Sequence, residues 1–162
     1  MRLLRSLSAV ATLAFLAACD LSTEPNVPDP VDPANDFYAP ALGITISTMT
    51  KLPSGVYIKD KTVGQGGVAA ANDSVKVDYI GWLPNGTQFD TSKLSGRKPL
   101  EFVVGKNVYL PAFEAAVIGM QPGGVRQIII PTALAYGSGG QPAAGIPPNT
   151  NLVFQVEYIG RL

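Results

Sequence analysis

Within the folded part of this chain, one stretch has a clear helical pattern, and it is short. It spans residues 110–118, with Pro111 in the first turn and Gly119 at the C-terminal end, where these residue types are favoured. The stretch is under about three turns long and places Phe113 and Val117 on one face. Because one such helix cannot enclose a core by itself, strands must supply most of the core. The sequence therefore predicts an antiparallel α+β domain.

Patterns typical of strands fill the rest of residues 53–162. Apolar and polar side chains alternate along residues 75–82, and the Asn-Gly pair at 85–86 is typical of a tight hairpin turn. The other strand patterns lie at 55–59, 100–104, 125–130 and 152–159. The region has about the size and apolar content of one small domain with a single core.

A loop rich in Gly and Pro precedes the last strand pattern. It contains too many of these residues to form a helix or a strand. The segment that includes this loop brings Tyr136, Ile146 and Phe154 to one place. We predict that these three side chains form one wall of an apolar pocket.

Residues 1–18 are predicted to be an export signal. Two arginines precede an apolar stretch of about ten residues, which is too short for a membrane-spanning helix of roughly 20 residues. Residues 16–19, Leu-Ala-Ala-Cys, resemble the lipobox of bacterial lipoproteins, in which the chain is cleaved before the cysteine and that cysteine is lipidated. The alternative is an ordinary secretory signal with an incidental cysteine.

Lipidation of Cys19 would anchor the protein in the bacterial cell envelope, on the periplasmic face of the inner or the outer membrane. Cys19 is the single cysteine in the sequence, and a free thiol is otherwise unhelpful in an oxidising exported setting. Asp20 resembles the inner-membrane retention signal of enteric bacteria. Residues 19–36 are rich in Pro and acidic side chains and are predicted to be a disordered spacer. Residues 37–52 regain apolar side chains and predict a short helix or an arm at the domain edge.

The side chains that the domain offers restrict its chemistry. The sequence has no histidine, which excludes Ser-His-Asp and Cys-His catalysis and most zinc sites. The acidic residues show no paired spacing, so acid–base hydrolysis has little support. Without residues 1–18 the chain keeps ten basic and twelve acidic residues, with no basic stripe for nucleic-acid binding. An aromatic and aliphatic set remains, which suits an apolar ligand or chemistry without proton transfer.

Five motifs occur in order along the domain. They are Tyr-Ile-Gly at 79–81, Gly-Thr-Gln-Phe-Asp-Thr-Ser at 86–92, Pro-Gly-Gly at 122–124, Ala-Tyr-Gly at 135–137 and Ile-Pro-Pro-Asn-Thr-Asn-Leu-Val-Phe-Gln-Val-Glu at 146–157. Through these motifs, residues 53–162 resemble the FK506-binding protein (FKBP) family of peptidyl-prolyl cis/trans isomerases. The resemblance implies a curved antiparallel β-sheet wrapped around one short α-helix. It also implies an active site between that helix and the concave face of the sheet.

The resemblance assigns roles to ten residues. Those expected to be catalytic are Tyr79, Asp90, Phe113 and Tyr136. Those expected to bind substrate are Phe89, Leu100, Tyr109, Leu110, Ile146 and Phe154. Each aromatic residue taken alone would more often be an ordinary core residue, so the assignment depends on the joint pattern. No cofactor and no metal are expected.

The chain departs from the family pattern at several positions. Phenylalanine stands at 113 where many members have tryptophan, leucine at 100 where others often have phenylalanine, tyrosine at 109 in place of valine, and glutamine at 141 where the human prototype has histidine. The loops at 91–98 and 137–145 are each about one residue longer than in the prototype. The extra length leaves the pairing of Arg97 with Asp90 open.

The expected activity is isomerisation of X-Pro bonds in exported polypeptides. An apolar, water-poor pocket favours the twisted amide over the planar one. The Tyr136 hydroxyl is expected to donate to the bound carbonyl, with the Ile146 N–H as a second donor. Asp90 is expected to orient Tyr79 or to accept a donor near the twisted nitrogen.

The expected partners are proline-containing polypeptides, with FK506-like or rapamycin-like macrolides as possible ligands of a monomeric protein. Phe113, Leu100 and Tyr109 motivate an alternative function. In that alternative, the domain is a chaperone or scaffold module that binds proline-containing segments and has little catalysis.

Overall fold

Seven antiparallel strands form one sheet in the structure, a computed structural model that describes residues 27–162. The strands are β1 Thr50–Lys51, β2 Tyr57–Thr62, β3 Ser74–Trp82, β4 Gln88–Thr91, β5 Leu100–Val103, β6 Val125–Ile130 and β7 Leu152–Arg161, and the helix α1 is Pro111–Val117. The order across the sheet is β1-β2-β6-β7-β3-β4, and β5 also pairs with β3. The predicted antiparallel α+β fold with one short helix is confirmed. The predicted signal peptide and Cys19 lie outside the described residues.

Strand β3 organises the sheet. One of its edges pairs with β7 along residues 75–82, and the other pairs with β5 at residues 74–77 and with β4 at residues 80–82. Alternation along the strand places Val77 and Tyr79 in the main core and Trp82 on the opposite, outer face. β4 and β5 therefore form one interrupted edge, and the loop between them leaves the sheet beside Tyr79.

Helix α1 packs on the inner face of the sheet. It begins at Pro111, after Leu110 as the N-cap, and ends at Val117. The side chains of Phe113, Ala116 and Val117 are buried in the main core. Burying a phenylalanine or a valine stabilises a fold by roughly 1.5–3 kcal/mol, so this face holds the helix in place.

Arg126 of β6 fixes the C-terminal end of α1 to the sheet. Its buried guanidinium donates to the carbonyl oxygens of Ala116 and Ile118 at 2.8 and 2.9 Å. It also pairs with Asp60 of β2, with Nε 2.6 Å from Oδ1. Carbonyls at a helix C-terminus lack helical partners and carry partial negative charge, so a cation is favourable there. One side chain thus connects α1, β2 and β6.

An N-terminal arm, residues 27–49, covers the outer face of the sheet. Its 3-10 turns, Pro40–Leu42 and Ile46–Thr48, fall within the range predicted as a short helix or arm. Leu42 is buried in a second apolar cluster that includes Ile129 of β6. No helix in the described part of the chain is long and apolar enough to cross a membrane.

Residues 27–36 contact the domain, whereas their composition predicts a disordered spacer. The carbonyl oxygens of Pro28 and Val31 accept hydrogen bonds from the side chains of Asn149 and Asn151, at 2.6 and 3.0 Å. The composition argument counts the apolar surface that a segment can bury. Contacts to backbone carbonyls hold this segment instead, and composition does not reveal them.

Glu114 is fully buried on α1 and holds the loop that leads into the helix. Its carboxylate accepts hydrogen bonds from the backbone N–H groups of Gly105, Asn107 and Tyr109 at 3.0, 3.0 and 2.9 Å. Charge-assisted bonds from three donors offset the cost of burying the carboxylate. The loop is therefore held in one shape from beneath.

We expect Glu114→Gln to lower the free energy of unfolding by about 2 kcal/mol, because the amide nitrogen would face backbone donors and leave a buried N–H unpaired. Urea denaturation measures the change. The control is Glu101→Gln, since Glu101 pairs with Lys76 at 3.0 Å on the surface. Loss of such a pair should cost about 1 kcal/mol or less. Equal effects of the two substitutions would contradict the role given to Glu114.

Candidate active site

A cavity of about 390 Å³ opens at the N-terminal end of α1, between the helix and the inner face of the sheet. Its lining consists of Tyr79, Phe89, Asp90, Leu100, Val108, Tyr109, Leu110, Phe113, Tyr136 and Phe154. Every site residue expected from the sequence lies in this lining except Ile146. The fold thus brings together residues from β3, β4, β5, β7, α1 and two loops.

Four aromatic rings form the floor of the cavity. The Phe113 ring centroid lies 5.1 Å from that of Phe154 and 5.8 Å from that of Tyr79, and Phe89 lies 5.5 Å from Phe154. These three pairs meet edge to face, which is favourable because the positive ring edge meets the negative ring face. Phe113 and Phe154 are buried while Tyr79 and Phe89 are half-buried, so the floor is apolar and only partly exposed to water.

Gly81 on β3 lies directly beside two of these rings. A Cβ atom at this position would lie 2.7 Å from Cζ of Phe89 and 2.9 Å from Cε1 of Phe154. Carbon atoms in contact normally stay about 3.5–4.0 Å apart. The missing side chain therefore lets the two rings meet over the strand. The sequence pattern alone gives Gly81 no role, although it stands in the motif at 79–81.

Asp90 forms the polar corner of the cavity. The Tyr79 hydroxyl donates to Oδ2 at 2.5 Å, while Nη1 of Arg97 and the N–H of Thr91 lie 2.6 and 2.9 Å from Oδ1. Arg97 is therefore the partner of Asp90, a pairing that loop length left open in the sequence. The carboxylate holds Tyr79 in place beside the aromatic floor.

The hydrogen bonds at Asp90 shift the pKa values of both partners. Burial raises the pKa of Tyr79, and the hydrogen bond to Asp90 raises it further. Partial burial acts to raise the pKa of Asp90, but the hydrogen bonds from Tyr79, Arg97 and the Thr91 N–H outweigh it and hold that pKa below its usual range. At neutral pH the pair is a neutral phenol that donates to a carboxylate.

Tyr136 stands at the start of the Gly/Pro-rich loop, on another side of the cavity. It is half-buried and comes shortly after a 3-10 turn, Thr132–Leu134. Tyr136 lines the cavity, and its hydroxyl, unlike that of Tyr79, donates to no residue of the described range. It is therefore available to a bound molecule.

Ile146, which was expected to bind substrate, lies behind the cavity wall. Its side chain is buried in the main core, and its N–H donates to the carbonyl of Gln141 at 3.0 Å. The N–H of Gln141 donates back to the Ile146 carbonyl at 2.8 Å. A loop without regular structure must satisfy its own backbone groups, and this reciprocal pair does so. No free N–H remains at Ile146 for a substrate carbonyl.

The rim of the cavity is apolar and exposed at Val108 and Tyr109. The Tyr109 ring packs edge to face on Phe102, with centroids 5.8 Å apart, above the loop that Glu114 holds. Sequence reasoning missed Val108. The available signal was a valine directly before two expected site residues.

We expect the pKa of Asp90 to lie below 3.8 in the folded protein and to rise when Tyr79 is replaced by Phe, because a hydrogen bond to the charged form is lost. Carboxyl-carbon NMR titration measures both values. Folding lowers this pKa, so the stability that Asp90 contributes is present above 3.8 and is lost as pH falls through the folded pKa. Asp90→Asn should therefore cost stability at neutral pH and little in strong acid.

The control for this titration is Tyr57→Phe on the outer face, which should leave the Asp90 midpoint unchanged. An unchanged midpoint in Tyr79→Phe would contradict the hydrogen bond as a cause of the shift.

The site can bind and polarise a molecule, but it offers no nucleophile next to a free base. Its carboxylate is already paired with Arg97 and Tyr79. Within residues 27–162, no three or more Asp, Glu, Cys or His side chains lie close enough together to hold a metal ion. An apolar ring and a neighbouring carbonyl would find a hydrophobic floor and a free hydroxyl.

Comparison with known proteins identifies the family. The model of the family described as FKBP-type peptidyl-prolyl cis-trans isomerase matches residues 66–159. FK506-binding protein 4 of Gibberella zeae is 44% identical over 113 residues, which cover 70% of this chain and 22% of that protein. The chain spans about a fifth to a quarter of the length of such fungal relatives.

Two solved structures share the fold at similar coverage. AtFKBP13 is 36% identical with a TM-score of 0.63, and the match covers 70% of this chain and 98% of that one. A peptidyl-prolyl cis-trans isomerase from Pseudomonas syringae pv. tomato is 32% identical with a TM-score of 0.59, covering 70% of this chain and 80% of that one. The family match contains every residue that lines the cavity. The chain belongs to the FKBP-type peptidyl-prolyl cis-trans isomerase family.

Proposed function

We propose that this domain catalyses cis–trans isomerisation of X-Pro peptide bonds in exported polypeptides. The observation that carries the proposal is an apolar cavity with an aromatic floor, lined also by Tyr136, whose hydroxyl has no partner within residues 27–162. The carboxylate at its corner, Asp90, is already paired. Such a site holds a proline ring and positions a neighbouring carbonyl without transferring a proton.

The cavity is expected to favour the twisted form of the X-Pro amide, in which amide resonance is lost. Rotation about a peptide bond faces a barrier of about 18–20 kcal/mol because twisting breaks that resonance. The twisted amide has a less polar carbonyl than the planar amide. Its transfer from water into the cavity therefore costs less free energy. An apolar, water-poor cavity therefore stabilises the transition state more than the ground state, which is the condition for catalysis.

The lining residues divide this work. Phe113, Phe154 and Phe89 enclose the pyrrolidine ring on the aromatic floor. The Tyr136 hydroxyl donates to the carbonyl next to the twisting bond and holds it while the ring side rotates. Asp90 keeps the Tyr79 ring oriented, so that this part of the aromatic floor stays in place beside the proline.

We expect Tyr136→Phe to lower kcat/KM about tenfold, since a hydrogen bond worth about 1.4 kcal/mol in the transition state is lost. A protease-coupled assay on a short X-Pro peptide measures the rate.

Phe113→Trp should keep or raise activity because tryptophan presents more apolar surface at the floor. Phe113→Ala should lower activity strongly, with a stability cost of about 3–5 kcal/mol that denaturation controls for.

Tyr57→Phe on the outer face serves as the matched control and should retain full activity. If the wild-type protein does not exceed the spontaneous rate of isomerisation, the proposed enzymatic function is wrong. A clear loss of activity in Phe113→Trp would show that the proline ring binds elsewhere.

A binding module with little catalysis is the second candidate. Leu100 and Tyr109 line the cavity, and Tyr109 is exposed at its rim, so both offer apolar contact to a bound segment. In that case the same peptide would bind the wild-type protein with unchanged spontaneous rotation. FK506-like and rapamycin-like macrolides should compete with the peptide in either case, because they would occupy the same aromatic floor. Relatives of this chain carry the name FK506-binding protein.

We also propose that the protein is a monomeric lipoprotein exported to the bacterial cell envelope, with Cys19 as the lipid attachment site. The support is the sequence of residues 1–19 alone. Residues 19–26 could span at most about 30 Å when extended, at 3.3–3.6 Å per residue. Because the arm contacts the domain from residue 28 onward, the catalytic domain would stay close to the membrane surface.

We expect Cys19→Ala to move the protein from the membrane fraction to the soluble fraction, because the acyl chains would be missing. Acyl chains contribute about 0.8 kcal/mol for each buried CH₂. Fractionation followed by immunoblotting measures the distribution, with Ser22→Ala as the control that stays membrane-bound. Unchanged membrane association of Cys19→Ala would refute lipidation.

A further inference from the structure

Asn151 is a buried asparagine just after the Gly/Pro-rich loop, with 1% of its surface exposed. Its Oδ1 accepts a hydrogen bond from the N–H of Thr132 at 2.9 Å. Its Nδ2 donates to the carbonyl of Val31 at 3.0 Å and to Oδ2 of Asp36 at 2.8 Å. A backbone N–H only donates, and a carbonyl and a carboxylate only accept, so these partners fix the orientation of the amide. The side chain therefore joins the N-terminal arm to Thr132.

Thr132 begins the turn that leads to the catalytic tyrosine. The turn Thr132–Leu134 is followed by Ala135 and Tyr136, and the N–H of Ala135 donates to the Thr132 carbonyl at 3.0 Å. The N–H of the first residue of such a turn has no partner within the turn. Asn151 supplies that partner. A shift of Thr132 would therefore move the short, hydrogen-bonded segment that carries Tyr136.

A second asparagine joins the arm to the other side of Tyr136. Nδ2 of Asn149 donates to the carbonyl of Pro28 at 2.6 Å, and the N–H of Asn149 donates to the carbonyl of Gly137 at 2.8 Å. Gly137 is the residue directly after Tyr136. The arm thus contacts Asn149, which is bonded to Gly137 after the tyrosine. It also contacts Asn151, which is bonded to the turn before the tyrosine.

The arm itself is well anchored, so it can serve as a support. The N–H of Ala39 donates to the carbonyl of Pro84 at 2.8 Å, and within the arm the Tyr38 hydroxyl donates to the carbonyl of Pro33 at 3.0 Å. Leu42 is buried on the outer face of the sheet. Val31 and Asp36 therefore lie in a segment that is fixed at its C-terminal end.

We propose that Asn151 is a positioning residue for the isomerase reaction, and that residues 28–36 complete the support of the segment that holds the Tyr136 hydroxyl at the cavity. The inference rests on the proposed function. Asn151 does not border the cavity and acts through Thr132. The arm is thereby part of the catalytic domain and not only a connection to it.

Three variants of the full-length protein test the proposal. Asn151→Ala removes all three hydrogen bonds. Asn151→Asp keeps the acceptor for Thr132 but turns a carboxylate toward Asp36 and the Val31 carbonyl. In the double variant, Asn151→Asp with Asp36→Asn, the amide at position 36 can donate to the carboxylate at position 151. Asn85→Ala, in the β3–β4 hairpin turn, is the matched control because, within residues 27–162, the Asn85 side chain bonds only its local turn, at the N–H of Thr87.

The measured quantities are kcat and KM on an Ala-Leu-Pro-Phe peptide, at a temperature where every variant is folded. Both single variants should lower kcat about tenfold and leave KM within about twofold, because misplacing a group in the transition state affects the rate more than ground-state binding. The double variant should recover part of the lost kcat, because the carboxylate at position 151 regains a donor at position 36 but still faces the Val31 carbonyl. The control should match the wild-type protein.

A lower melting temperature with unchanged kcat would overturn the proposal, since Asn151 would then only stabilise the fold. Failure of the double variant to recover activity would overturn the role of the arm. Where Asn151→Ala does not fold, Asn151→Asp and its double variant make the same comparison.

If the wild-type protein has no isomerase activity, the proposed function fails, and amide hydrogen exchange decides the positioning role separately. Asn151→Ala and Asn151→Asp should then speed exchange of the amides of residues 134–140 at least about tenfold, while amides of β3 and β7 stay protected. Exchange that equals the wild-type rate in this segment would overturn the inference.

Discussion

The packing of α1 on the inner face of the sheet is the interaction on which the rest of the structure depends. The helix has seven residues and is held at its C-terminal end by Arg126 and along one face by Phe113, Ala116 and Val117. So short a helix covers part of the inner face and leaves the aromatic rings near its N-terminus open to one side. The cavity is that uncovered part. Phe113 belongs to both regions, because its ring packs in the core and also forms the cavity floor.

Polar side chains beneath the loops give the cavity a fixed shape. Glu114 holds the loop that carries Tyr109, Asp90 holds Tyr79 together with Arg97, and Asn151 holds the turn before Tyr136. Glu114 and Asn151 satisfy backbone N–H groups that an irregular segment cannot pair by itself, and leaving such groups buried and unpaired costs about 1–3 kcal/mol each. The proposed mechanism by hydrogen bonding and exclusion of water would need this rigidity, since a displaced hydroxyl would no longer meet a bound carbonyl.

Prediction from the sequence succeeded where the signal lies within a few neighbouring residues. Pro111 and Gly119 bracket the helix, and the alternation along 75–82 predicts both the strand and which face carries Tyr79. Prediction failed where distant groups decide the outcome. The contacts of Pro28 and Val31 with Asn149 and Asn151 span most of the chain, and no local pattern marks them. The hydrogen bond of the Ile146 N–H to Gln141 depends on the folded path of its loop.

The sequence by itself predicted the helix and five of the seven strands, the family and nearly all residues of the cavity lining, because backbone propensity, side-chain periodicity and short motifs are properties of neighbouring residues. Only the tertiary structure decided which polar groups are paired and which remain free. It shows that Asp90 pairs with Arg97 and Tyr79, that the Tyr136 hydroxyl has no partner within residues 27–162, and that Asn151 is hydrogen-bonded to the arm. The physical reason is that a hydrogen bond needs donor and acceptor within about 3 Å, and the chain path that brings distant residues so close is fixed by packing of the whole domain.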